Sequence, residues 1–159
     1  MAMFIDPEAA AYGVFQIAFA RLDTRLSRSL VIACRCKEAG ATFQIVRRMP
    51  LGARLDRVNK LITKVQTMKL GDAEIDDLAR ACEGARSVQA WRNDRVHAEV
   101  RFSPEGAPVL TDSNGRYLRI DREECDQKIR EAVEAGIAIE TLVKHLSAVL
   151  EDIDTVGLE

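Results

Sequence analysis

Trp91-Arg92-Asn93-Asp94-Arg95-Val96-His97 is the stretch of this chain whose side chains could act together on a substrate. A neutral imidazole, with an ordinary pKa of about 6.5, can take a proton near neutral pH, so His97 has the chemistry of a general base. A guanidinium stays protonated and presents a planar fork of donors that fits a phosphate. Arg92 therefore suits the stabilisation of charge developing on phosphorus. Asn93 stands four residues before His97, close enough on a helix for the two side chains to touch. Arg92 and His97 are five apart and lie about 140° apart around a straight helix, so one helix does not converge them on a single phosphate. Convergence needs either a helix end between Asp94 and His97 or a twofold partner that brings a second copy of the pair across an interface. The partner is the expectation here. Trp91 would then be an anchor at the dimer seam, and Arg95 and Arg101 would add phosphate contacts.

The elements that must carry these residues are helices. Asp6-Pro7-Glu8 has a capping acid, a proline at the first helical position and an acid in the first turn. From there an apolar stripe runs through Phe15, Phe19, Leu22, Leu26, Leu30 and Ala33 to a stop at Gly40, which predicts a first helix over about 7–38. Residues 41–49 are short and mixed, and read as an extended piece or one loose turn. Pro50 opens a second helix over about 51–69, with Leu51, Leu55, Val58, Ile62 and Val65 on one face and Arg54, Arg57, Lys60 and Lys64 on the others. Gly71 ends it and Asp72 caps a third, over about 73–98. The seam of this third helix is Ile75, Leu78, Cys82 and Ala85, continuing onto Gln89, Arg92 and Val96, so polar groups take over its inward face.

Pro104, Gly106 and Pro108 break the helix, and Asn114-Gly115 between two β-prone runs predicts a small hairpin over about 108–120. Asp121 and Glu124 hold the positions of a variant capping box for a fourth helix over about 122–151. Its seam is Ile129, Val133, Gly136, Ile139, Val143, Leu146 and Leu150. Ile137, Leu142 and Val149 widen this apolar surface, and the tail after Asp152 is expected to fray. The fold class that follows is all-α: an antiparallel four-helix bundle with a small β-hairpin inserted between helices three and four, in one domain over residues 1–159. A composition of 47% hydrophobic residues with only 5% aromatic ones agrees with aliphatic helix packing.

Other chemistries find little footing. Cys34, Cys36, Cys82 and Cys125 contain no C-x2-C pair and are joined by no histidine cluster, so neither a metal site nor a redox dithiol is expected. No cofactor is expected, and serine or cysteine hydrolysis lacks a paired base. A nucleotide- or RNA-binding module without turnover is suggested by the basic first half and opposed by the absence of a glycine-rich phosphate loop or an aromatic-interleaved basic run. His145 reads as a surface or partly buried helix residue. No signal-peptide pattern opens the chain and no apolar run reaches the roughly 18 residues of a membrane span, so a cytoplasmic location is expected. The net charge of −2 hides an asymmetry. Residues 1–70 carry twelve basic against five acidic side chains, and the remainder eleven against twenty. The basic half could attract a polyanion, or could simply pair with the acidic last helix.

Arg92-Asn93-x3-His97 near the end of a third bundle helix resembles the signature of the HEPN superfamily, helical-bundle proteins marked by an arginine, four to six residues and a histidine, commonly with a polar residue after the arginine. The resemblance covers the architecture of most of the chain and six residues of sequence; the hairpin at 109–120 departs from the core pattern. It implies a usually dimeric, metal-independent endoribonuclease of toxin or antiphage-defence type, with the motif at the dimer interface. Arg92 and His97 would be the catalytic pair, Asn93 the supporting polar residue, RNA the substrate, and a cognate regulatory protein a further partner. Two other readings stay open. One is a non-catalytic dimeric interaction or RNA-binding protein on the same helices. The other is a purely structural role, in which Arg92 pairs with Asp94 or Glu99 and His97 interacts with the dipole at the helix end.

Overall fold

A computed structural model describes residues 7–33, 39–66, 72–102, 104, 108–112, 114–118 and 120–156. Side chains are described over the same stretches apart from 61–66, 72, 99–102, 108–109, 146–147 and 149–156. In chain order the elements are α1 (Pro7–Ala33), α2 (Ala39–Arg47), α3 (Leu51–Gln66), α4 (Asp72–Val96), β1 (Glu99–Phe102), β2 (Pro108–Thr111), β3 (Tyr117–Leu118) and α5 (Arg122–Val156). The fold is thus predominantly helical with a small antiparallel sheet. Among the described residues no helix is long and apolar enough to cross a membrane.

The expected stripe of α1 is its core face: Phe15, Leu22, Leu26 and Leu30 are buried, and Phe19 and Ala33 pack partly against them. Helix α1 packs most extensively on α5. Gly136 of α5 sits where an added Cβ would meet Arg25 Cδ at 3.2 Å and Leu22 Cδ1 at 3.6 Å, so this small residue permits the close approach. One turn on, Arg25 Nε lies 3.6 Å from Glu140 Oε2. Residues advance together along both helices, so α1 and α5 run parallel. This corrects the antiparallel expectation for the first and last helices. Helix α4 runs against α5, with Trp91 beside Glu124, Ser87 beside Lys128 and Gly84 beside Ala135. It runs against α3 as well, since Gly52 lies by Gln89 and Asp56 by Arg86.

The parallel pairing has a cause in residues 39–47, which were expected to be extended or a loose turn and instead form α2. Phe43 and Val46, three apart, turn toward the core while Gln44, Ile45 and Arg47 stay exposed. This extra helix takes up chain between α1 and α3, so these two need not be antiparallel neighbours. Gly40, expected to stop the first helix, lies within α2, and residues 34–38 fall outside the described residues.

Three further expectations are corrected. Residues 99–102 form β1, which pairs antiparallel with β2, so the expected hairpin is the second half of a three-stranded meander. Its turn is closed by Asp112, whose Oδ1 accepts from the N–H groups of Asn114 and Arg116 at 2.8 Å each, while Gly115 takes a positive φ of 76°. Helix α5 continues to Val156, beyond the expected end. Its apolar seam is Cys125, Ala132, Ala135, Ile139 and Val143, and Val133 is exposed rather than inward.

Candidate functional site

The core face of α4 turns at its C-terminal end. After Leu78, Cys82 and Ala85 the buried positions are Val88 and Trp91, three residues apart, not Gln89 and Arg92. The seam had two continuations open to it, at i+3 and i+4, and the i+3 step places the apolar Val88 and Trp91 inward in place of Gln89 and Arg92.

Trp91, expected at a dimer surface, is only 7% exposed. Its ring meets Phe15 edge-on with centroids 4.5 Å apart, Tyr12 lies tilted at 6.2 Å, and its indole N–H is donated to Glu124 Oε1 at 2.7 Å. It is a core residue of the single chain. Arg95, expected as a phosphate contact, lies with its guanidinium 3.7 Å over the Trp91 ring and donates to Glu124 Oε2 at 2.8 Å and to the Trp91 carbonyl at 3.3 Å. With 8% of its side chain exposed it clamps α4 to α5 and does not offer a cation to solvent. The carboxylate of Glu124 is therefore engaged across the helix pair. The capping of α5 falls to Asp121 alone, whose Oδ1 accepts from Glu123 and Glu124 N–H at 2.8 and 3.1 Å. Arg101 belongs to β1, where it stands opposite Val109; its side chain lies outside those described.

Arg92 points away from Trp91. Its Nε donates to Gln16 Oε1 of α1 at 3.3 Å, and its guanidinium carbon lies 4.7 Å over the Phe19 ring. It makes no pair with Asp94; the side chain of Glu99, the other expected partner, is outside those described. Asn93 follows it into a cleft of about 440 Å³ whose walls include Gln16, Phe19, Arg47, Arg54, Arg92 and Asn93. Helix α4 ends at Val96, yet His97 N–H still bonds the Asn93 carbonyl at 3.1 Å, so His97 continues the helical spiral for one residue. The imidazole is exposed and does not line the cleft. The structure thus brings Arg92 and Asn93 together on one cleft and leaves His97, about 140° from Arg92 around the helix, exposed outside its lining.

Arg54 was expected on an outer face of its helix and is 2% exposed. Its guanidinium reaches across to α1, bonding the Asp23 carboxylate, the Asp23 carbonyl at 3.0 Å and the Ser27 hydroxyl. Nothing in the helical periodicity distinguishes it from Arg57, so only the packing of α3 on α1 reveals it. Its Nε is buried without an acceptor among the described residues.

A larger groove of about 680 Å³ runs between α4 and α5 beside Ala81, Gly84, Ala135, Ala138 and Leu142. It includes none of the residues read as chemical. Cys82 and Cys125 are buried free thiols; burial pushes the Cys82 thiol up to about 11 against the opposing charge of Arg86, and raises that of Cys125 too. Cys34 and Cys36 fall outside the described residues. His145 is exposed, 3.7 Å from Glu74.

Comparison of the chain with protein-family models, with curated proteins and with solved structures gave no match.

Proposed function

We propose that this protein is a metal-independent endoribonuclease of the HEPN type, acting as a homodimer in which Arg92 of one protomer and His97 of its partner flank the scissile phosphodiester. The observation that carries this reading is the division at the end of α4. Arg92 is held by Gln16 and Phe19 with no carboxylate partner, and His97 is exposed with no hydrogen bond or ion pair from its ring, both among the described residues. A structural Arg92 would pair with a neighbouring carboxylate such as Asp94, and it does not. Exposed aliphatic residues adjoin each half, Ile17 at 56% next to Gln16 and Val96 at 44% next to His97. A second copy covering them would bring the complementary half of each site with it.

In this mechanism His97 takes the proton of a ribose 2′-hydroxyl, the oxygen attacks the adjacent phosphorus, and the bond from phosphorus to the 5′-oxygen breaks. The departing oxygen takes up a proton from water and His97 releases its own to solvent, leaving a 2′,3′-cyclic phosphate and a 5′-hydroxyl. Arg92 stabilises the charge that builds on the equatorial oxygens, and Asn93 holds the strand beside it. The reaction needs no cofactor. The same reading favours a cytoplasmic protein with a cognate regulator as a further partner.

The test is incubation of the dimer with a mixed-sequence RNA and with the matching DNA, with and without a chelator. Cyclic phosphate ends from RNA alone, unchanged by the chelator, are expected. RNA left intact, or DNA cut equally, would overturn the reading in favour of a non-catalytic interaction protein.

A further inference from the structure

The cleft beside Arg92 is built for an anion. Three guanidinium groups line it, those of Arg47, Arg54 and Arg92, against one carboxylate, Asp23, which Arg54 already engages. Arg47 and Arg92 form no ion pair among the described residues. Pro50 and Leu51, where α3 begins, form part of the same wall. Helix α3 has no acidic residue in its first turn, and Pro50 has no side-chain oxygen with which to cap it. The Arg54 N–H bonds the Pro50 carbonyl, and the N–H groups of Leu51, Gly52 and Ala53 have no partner among the described residues. The positive end of the α3 dipole therefore adjoins the space that the arginines surround. Arg54 is spent on Asp23 and Ser27, which leaves Arg47 and Arg92 as the cations the cleft offers to a ligand.

The space exceeds what a phosphate needs. At about 440 Å³ it falls in the range of small-molecule sites. Beyond the arginines it presents the amides of Gln89 and Asn93, each with a donor and an acceptor, the amide of Gln16, whose oxygen already accepts from Arg92, and the apolar surface of Met49 and of the part of Phe19 that Arg92 leaves uncovered. Amides that can pair with a base edge, an apolar platform and a cationic end together describe one ligand class.

We infer that this cleft is a mononucleotide site. The phosphate lies between Arg47, Arg92 and the start of α3, and the nucleoside lies against the amides. The ligand is either a free nucleotide or one unit of an RNA strand. The site stands on the cleft and not on cleavage, so a protein that never cuts RNA would still bind there.

Calorimetric titration of the full chain with adenosine 5′-monophosphate, adenosine and inorganic phosphate tests this. The monophosphate should bind about tenfold or more tighter than adenosine, and phosphate should compete with it. Arg47→Ala should weaken the monophosphate about tenfold, while Arg86→Ala, the same charge change outside the cleft, leaves it unaltered. Gly52→Asp sets a carboxylate in the first turn of α3, where an added Cβ has 3.7 Å to Gln89 Oε1. It should abolish binding while raising Tm, because it replaces a helical glycine and favours the dipole. A simple folding defect would lower both. Displacement of the monophosphate by a short 2′-O-methyl oligonucleotide, in an Arg47-dependent way, identifies a strand unit as the ligand; binding of the monophosphate without that displacement identifies the free nucleotide. Equal affinity for adenosine and its monophosphate, no binding of either, or parental affinity in Arg47→Ala and Gly52→Asp would overturn the inference.

Discussion

The indole N–H of Trp91 is donated to Glu124 Oε1 at 2.7 Å, tying the last turns of α4 to the first turn of α5 just ahead of His97. The other carboxylate oxygen takes Arg95, whose guanidinium closes over the same ring. Trp91→Ala should lower stability by about 3–5 kcal/mol by emptying this end of the core. Trp91→Phe, which keeps an aromatic edge but leaves the carboxylate without its indole donor, should cost about 1–3 kcal/mol. Urea unfolding of the two variants checks the order.

Arg95→Ala should likewise destabilise the fold while leaving affinity for RNA at the parental level. The cation is committed to Trp91 and Glu124 and is 8% exposed. Weakened RNA binding with unchanged unfolding would return Arg95 to the role the sequence suggested.

Arg54 and Asp23 join α3 to α1 beneath the cleft. Removing one partner of a buried pair leaves the other uncompensated, at about 3–5 kcal/mol. Asp23→Ala should therefore destabilise strongly. Arg54→Met, which fills similar volume without the charge, should be the milder of the two. Chemical unfolding midpoints compare them.

Glu140 sets an acid dependence. The Lys144 ammonium donates to its carboxylate at 2.8 Å and Arg25 of α1 lies nearby, which holds the Glu140 carboxyl below the ordinary range in the folded chain. The unfolded chain takes up that proton at higher pH, so the stabilisation is present above the ordinary carboxylate value and is lost as the pH falls. The stability difference between the parent and Glu140→Gln should shrink as pH falls below about 4.3. A difference constant across that range would contradict the assignment.

Much of the fold was legible because helical periodicity leaves few choices at strongly apolar positions. Phe15, Leu22, Leu26, Leu30, Leu55 and Val58 are core positions by periodicity, and each is buried. The pattern failed where two continuations carried similar weight. On α4 the step to Val88 and Trp91 competed with the step to Gln89 and Arg92, and packing against Phe15 decided it. It failed again at α2, where Ala39, Ala41, Phe43 and Ile45 alternate as in a strand and nine residues are too short for the helical period to prevail. The motif residues were legible as chemical types. Arg54, Arg47 and Gln16 were not, because the cleft they share is assembled from α1, α3 and the end of α2, which no local pattern connects. Trp91 and Arg95 were misplaced for a related reason: an indole and a guanidinium near a motif resemble surface groups until Glu124, 33 residues on, is found to hold both.

The shared-site mechanism is tested most directly by subunit mixing. Arg92→Ala and His97→Ala should each cleave RNA about 100-fold or more slowly than the parent. Mixed and allowed to exchange, half of the dimers pair the two variants, and each such dimer holds one intact Arg92 facing one intact His97. Recovery of about a quarter of the parental rate is predicted. Parental cleavage by either variant alone, or a mixture as inert as its components, would contradict a site completed by two protomers.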